Sequence, residues 1–536
     1  YKKLRRINLG SSEFFFYAPH GVTLFFIVSL QLMNRTDLTQ GSIWGNITTF
    51  LLPYILAYFL QILYGLADLF VIGRYCNVDS TTAVSNGAQV MYFVTCVVIG
   101  LAMGTTVNTA HSIGAKDQRR ASRVIGNTAT MFFTLSILLA LVLLCCRDGI
   151  VRLMDTPPEA IEGTRDYLMV CFIGIPFIMA YNVIASIFRG LGDSKSPMYF
   201  VAVACVVNIL LDFFFIGYLG WGARGAALGT TLSQMFSVMV ALLAIRRHRE
   251  VFDVHRHDFR PNRQTVKSIL KIGFPIAMQD GFIQLGFLAI AVIANGRGVY
   301  DAGAVGIVEK FIGLVFILPS AMLSTVSAIC SQNYGAGNLD RVLKTLRCSL
   351  VIIFGYGMLM IAVWEIFPEV AVGIFTDDPV VVEKGAVYLQ GYIYDCLFAG
   401  IHFCFSGLFT ACGYSIISFV YNFLSVILVR IPLAYLASEM YPDTLYPMGI
   451  TTWFGSLFSV IICVVVYRWM VKHHKFSHSI VAPDTGRIIL LTAVFESTRR
   501  HSRLLSEEAG EMVGIVEAQF SAGAVAAALY VAGDGP

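Results

Sequence analysis

About twelve stretches of roughly 20 or more mostly apolar residues follow one another between residues 46 and 471, each long enough to cross a hydrocarbon layer of about 30 Å. They read as 46–72, 83–110, 121–146, 165–188, 197–217, 224–245, 266–295, 302–330, 342–367, 385–411, 415–437 and 448–471. A single segment crosses lipid only as a helix, because every backbone N–H and C=O must find its partner inside the span. The expected fold is therefore all-α and polytopic. Composition closes the soluble alternative: with 57% hydrophobic and 13% charged residues over 536 positions, no water-exposed surface could be assembled around so much apolar side chain.

The charges that remain lie between the spans. GAKDQRRASR, RGLGDSKS, IRRHREVFDVHRHDFRPNRQ, GAGNLDRVLKTLR and RWMVKHHK all fall on one side of the membrane, and the acidic FTDDP and SEMYPDTLYP on the other. Lys and Arg gather on the cytoplasmic side, so both termini are expected in the cytoplasm of a multi-pass protein of the plasma or inner membrane. A net charge of +4 spread this way offers no nucleic-acid stripe. The 12 cysteines are scattered without a CxxC pair and read as small core residues. Residues 1–45 form a lead-in, of which 1–32 are read as outside the domain, and the polar tail 473–536 carries no motif.

Sliding the chain along itself exposes a repeat of about 221 residues. Pro53 meets Pro275 at an offset of 222, while Gly114 and Gly335, Phe188 and Phe409, and Gly192 and Gly413 all meet at 221. Six spans per copy is an even number, so the copies point the same way and should be related by a pseudo-two-fold axis along the membrane normal. The expected organisation is a first lobe over 46–245, a linker over 246–265 and a second lobe over 266–472.

Two acids stand inside first-lobe spans, Asp68 in ILYGLADLFVIGR and Asp212 in NILLDFFFIGYLG. A charge at the bilayer centre costs about 2.5 to 3.5 kcal/mol on insertion scales and marks an ion or substrate path; Asp212 is expected at mid-depth. Tyr64 lies one turn before Asp68, Asn208 one turn before Asp212, and Thr230 is on the returning helix. If the bundle brings the acids together, the pair can take and release a proton or hold Na⁺ on Asp68, Asn208 and Asp212 through hard oxygen ligands. Repeat arithmetic places Ala289 or Ile290 opposite Asp68 and Leu433 opposite Asp212, so both acids are missing from the second copy. Asp280, Glu309 and Asp395 remain there as candidates for a substrate cavity.

In RGLGDSKSPM, Ser196 and Pro197 read as a helix start, with Arg189 and Asp193 pairing at the cytoplasmic mouth and Gly192 between them, as helix punctuation or a gate.

These stretches, with LTQGSIW, NYGAGN and VRIPLAY, resemble the bacterial branch of the multidrug and toxic compound extrusion (MATE) family over about residues 36 to 472. The resemblance implies two six-helix lobes in a V around a central cavity, and export of cationic or amphipathic compounds in exchange for H⁺ or Na⁺. Asp68, Asn208, Asp212 and Thr230 match the family's first-lobe cation site. It implies no other cofactor, small organic molecules and the bilayer as partners, and a monomer. The seventh helix departs from the pattern of some members, with Ile283 and Gln284 where a glutamate is found in them.

Two other functions share features with this sequence. Gly190–Asp193 and Tyr394–Asp395 spell the GxGD and YD signatures of presenilin-like intramembrane proteases, but in the reverse order, so an enzyme is not expected. A lipid-linked oligosaccharide flippase, the closer alternative, needs basic residues in its cavity to hold pyrophosphate; Arg430 is the one deep in a span. No GxxxxGK[ST] loop is present, and ion gradients suffice energetically. One charge moved through 100 mV gives about 2.3 kcal/mol and one pH unit about 1.36 kcal/mol.

Overall fold

The structure, a computed structural model, describes residues 37–154, 156–247 and 254–473. Readings that fall on 1–36, on the middle of the linker or on the tail beyond 473 lie outside the described residues. Among the described residues, eleven helices are long and apolar enough to cross a membrane, or twelve when one bent pair is taken as a single span. In chain order they are α1 (Ile43–Tyr75), α2 (Val78–Gly114), α3 (Gln118–Leu153), α4 (Pro158–Gly190), α5 (Lys195–Tyr218) and α6 (Gly222–Arg247). Then come α7 (Arg263–Gly296), α8 (Val299–Gly335), α9 (Leu339–Ile366), the bent α10 (Pro379–Tyr392 with Asp395–Ala411), α11 (Ser415–Met440) and α12 (Tyr446–Lys472). Most extend a few residues beyond the apolar runs, because a helix continues through its polar end turns until a cap stops it.

Burial divides the bundle in two. One apolar core gathers side chains from Val71 to Ile269 and another those from Ile290 to Met448, joined by a small cluster of Met103, Ile276 and Leu323. The repeat is visible in the backbone. Gly192 and Gly413, 221 positions apart, both turn through left-handed φ, +91° and +81°, where a side chain would strain the loop.

It is plainest where the copies touch, at the face where α1 begins, called here the lower face. A Cβ on Gly114 would strike the carbonyl of Gln332, and one on Gly335 would strike that of His111. His111 Nε2 donates to the carbonyl of Ala411 at 2.7 Å, and Gln332 Nε2 to that of Gly190 at 3.0 Å. Since 332 − 111, 411 − 190 and 335 − 114 are all 221, each contact is the image of its partner, as a two-fold axis between the C-terminal ends of α2 and α8 requires. The lead-in ties the same face: Leu38 is 1% exposed, its carbonyl accepts from Asn333 Nδ2 at 3.1 Å, and Arg341 donates to the carbonyls of Gln40 and Gly41. A strap leaving the first lobe is thereby pinned to the second.

Candidate functional site

Three helices of the first lobe converge on the acid pair. Asp68 sits seven residues before the upper end of α1 (75 − 68), Asp212 six before that of α5 (218 − 212), and Thr230 eight after the start of α6 (230 − 222). The acids therefore lie in the upper half, not at the mid-depth expected for Asp212. The apolar run at 197–217 already holds Asp212 only five residues from its upper end (217 − 212), and the helix finishes in a π-helical turn, Phe213–Tyr218, directly after the acid. Such turns inside longer helices recur at functional sites.

All three polar groups on α1 and α5 are withdrawn from water: Asp68 is 6% exposed, Asn208 1% and Asp212 0%. Thr230 Oγ1 donates towards Asp68 Oδ2 at 3.2 Å and towards its own helix carbonyl, Ala226, at 3.1 Å. Asp212 and Asn208 stand within side-chain reach of the Asp68 carboxyl, and Tyr64 lies within its field. Yet Asp68 Oδ1, both Asp212 oxygens and both amide atoms of Asn208 are buried without a hydrogen-bond partner. Buried polar atoms are normally paired, so these groups can be satisfied only by one another or by a shared proton or cation. The oxygens of Asp68, Asn208, Asp212 and Thr230 are hard ligands, a set suited to Na⁺ as well as to a shared proton.

One contributor is not visible in the motifs. A Cβ on Gly229 would overlap Asp212 Oδ1, with Asn208 Nδ2 3.6 Å away. Gly229 lets α6 approach the acid closely enough for Thr230 to reach Asp68. Gly229→Ala is therefore expected to displace the Asp212 carboxyl and lower efflux several-fold while membrane expression is unchanged, as measured by dye export against an immunoblot.

The second-lobe candidates separate. Asp395 and Glu309 gather around Arg430, whose Nη2 donates to the Tyr392 hydroxyl at 2.7 Å and whose guanidinium lies 4.8 Å from the Phe287 ring centre. Neither acid closes an ion pair with it among the described residues, and Asp395 Oδ1, Glu309 Oε1 and Arg430 Nε are buried without partners. Asp280 lies elsewhere, facing Tyr58 of α1 and Tyr92 and Cys96 of α2 across the lobe boundary.

The mouth residues differ from expectation. Asp193 does not pair with Arg189; its Oδ1 accepts from the backbone N–H of Lys195 at 2.9 Å and of Ser196 at 3.0 Å, and its Oδ2 accepts from the Ser196 hydroxyl. The carboxylate, and not Ser196, caps α5, and burial pushes it above the usual carboxylate range against those hydrogen bonds. Arg189 Nη1 donates instead to the Tyr54 hydroxyl. An i, i+4 pairing holds along a helix face, and here the helix ends at Gly190.

The MatE family model matches twice, over residues 53–214 and 275–436, together more than half of the chain. The chain belongs to the MatE family. Both ends of the two matches are offset by 222 (275 − 53 and 436 − 214), beside the 221 to 222 read from the repeat. Curated relatives include the probable multidrug resistance protein YpnP of Bacillus subtilis, 29% identical over 82% of this chain and 97% of its own length. Another is the probable multidrug resistance protein NorM of Thermotoga maritima, 26% identical over 75% and 86% respectively. Among solved structures, an outward-facing multidrug resistance MATE family transporter of the MOP superfamily superposes with a TM-score of 0.77 at 22% identity, covering 82% of this chain and 99% of that one. That likeness establishes the two-lobed MatE fold of a multi-pass membrane protein.

Proposed function

We propose that this MatE protein is a secondary active exporter of amphipathic, mostly cationic compounds, driven by H⁺ or Na⁺ entering at Asp68 and Asp212. The observation that carries the reading is the pair of buried carboxyl groups, Asp68 and Asp212, within side-chain reach of one another. Two carboxylates at this range repel when both are ionised, so a proton or Na⁺ between them is strongly favoured. Each cation state then sets how closely α1, α5 and α6 can pack. Curated relatives named as probable multidrug resistance proteins support export of small organic compounds.

The lower face carries the basic connectors and is read as cytoplasmic. The lobes are clasped at this face by His111 and Gln332 and by the lead-in strap, and on this reading the coupling cation reaches the acid pair from the opposite, outer side. Cation arrival from that side displaces substrate outward; return of the emptied lobes to the inside completes the exchange. The flippase alternative gains nothing from Arg430, which is enclosed by Tyr392 and Phe287 beside two acids.

The test is dye efflux from proteoliposomes under an imposed pH gradient and, separately, an imposed Na⁺ gradient. At least one is expected to drive efflux. Efflux that follows neither would overturn ion-driven export, and the two arms identify the ion.

A further inference from the structure

The repeat pairs the two segments that lead into the first helix of each lobe. The strap 37–42 runs into α1, and adding 221 gives 258–263, the end of the linker that runs into α7. Each is held by the other lobe. The strap is gripped from α8 and α9, the linker from α3, and α3 and α9 begin at 118 and 339, again 221 apart. The opening segments of the two copies therefore cross at the lower face.

The two grips differ in kind. Asn127 of α3 holds the linker backbone with both ends of its amide, Nδ2 donating to the Asp258 carbonyl at 2.9 Å and Oδ1 accepting from the Asn262 N–H at 2.6 Å. Gly126 lets the same carbonyl come so close that a Cβ would stand 2.5 Å from its oxygen. Helix backbone lies on linker backbone there, and Ser268 of α7 adds a bond to Asn108 Oδ1 of α2 at 2.6 Å. Such a contact parts only if a helix moves.

The strap is met by longer arms. Gln332 Oε1 accepts from the Leu38 N–H at 3.3 Å, and Arg341 spreads its fork over strap carbonyls, Nη1 donating to Gly41 at 3.0 Å and Nη2 to Gln40 at 3.1 Å. Asn333 Oδ1 steadies that fork by accepting from Nε at 3.0 Å. Both bonds from Arg341 to the strap are open to water, which competes for each partner. The Leu38 carbonyl is shared between the lobes, with Asn333 Nδ2 at 3.1 Å and Asn46 Nδ2, in the first turn of α1, at 3.2 Å. Asn46 Nδ2 also donates to the Gln40 carbonyl at 2.8 Å, so the strap is folded back on its own helix and travels with the first lobe.

We propose that the strap is the releasable latch of the lower face, with Arg341 as its catch. Opening at this face draws Leu38 from its seat and strips Arg341 of its carbonyls; closing restores them. The population of the open form is then set by the strength of that grip. The consequence for export rests on the function proposed above; the opening itself does not.

Alkylation of the native Cys412 by a water-soluble maleimide, in the purified full-length protein and read by peptide mass spectrometry, tests the latch. Cys412 is 3% exposed and follows the Ala411 carbonyl that His111 grips from the first lobe, so opening of the lower face uncovers it. Arg341→Gln, which loses the charge and the fork, should raise the rate at Cys412 about tenfold, the scale of one charge-assisted contact. Arg341→Lys keeps the charge and should raise it less. Arg120→Gln is the control: Arg120 is the image of Arg341 (341 − 120 = 221), lies exposed on α3, and its side chain makes no hydrogen bond among the described residues. Its rate should stay within about twofold of wild type. Cys171, 1% exposed in the first-lobe core, should remain unreactive throughout, which separates opening from unfolding. Unchanged rates at Cys412 in both Arg341 variants, equal acceleration in Arg120→Gln, or acceleration matched at Cys171 overturns the proposal. With neither gradient nor substrate present, the outcome is independent of whether ions drive export.

Discussion

Asp68→Asn and Asp212→Asn should each lower gradient-driven dye efflux at least about tenfold, although each variant reaches the membrane in normal amount. The two side chains form one site with Asn208 and Thr230, so neither acid can hold the coupling cation alone. A loss of about 1.4 kcal/mol in cation affinity already gives tenfold when the cation is below saturation, and removing one of two facing carboxylates exceeds that. Asn keeps the shape and the hydrogen-bonding reach of Asp, which separates loss of charge from loss of packing. Efflux by membrane vesicles under each gradient is the measurement. Thr230→Val, which removes one neutral oxygen, should cost less than either acid.

The second large effect is on stability. Arg430→Met should destabilise the protein by about 1 to 3 kcal/mol, because it leaves the buried Tyr392 hydroxyl without its charged donor and Asp395 and Glu309 without the cation whose field they share. Met preserves most of the packing over Phe287, so the loss reports charge. Denaturant unfolding in detergent checks it. The double variant Arg430→Met with Asp395→Asn should recover a large part of the loss, since removing both partners costs less than removing one. Unfolding of the single variant at the wild-type midpoint would show that Arg430 does not compensate the acids.

The sequence was most informative where a residue contradicts its surroundings. Asp68, Asp212 and Arg430 stand out because a charge in an apolar span has to be explained wherever the helices go. The glycine and proline anchors showed the repeat because turn glycines such as Gly192 and Gly413 serve the same backbone need in both copies. What stayed hidden depends on distances between helices. Gly229 matters only because α6 lies against Asp212. Likewise, Glu309, Tyr392, Asp395 and Arg430 come together from α8, α10 and α11. Asp193 departs from the expected pairing with Arg189 because a helix end redirects its carboxylate from a side chain four positions away to two backbone amides. Asp212 lies above mid-depth because it stands near the upper end of its own apolar run, 197–217, with the π-helical turn Phe213–Tyr218 directly after it.

Cation release on substrate binding tests the central claim most directly. The purified protein, held in weakly buffered detergent or loaded with radioactive Na⁺, is titrated with a cationic substrate dye while the displaced ion is counted. Wild-type protein should give up about one H⁺ or Na⁺ for each dye bound, and Asp212→Asn should bind dye while releasing neither. Dye binding with no ion displaced from the wild type, or equal displacement from both proteins, would contradict exchange at the Asp68 and Asp212 pair.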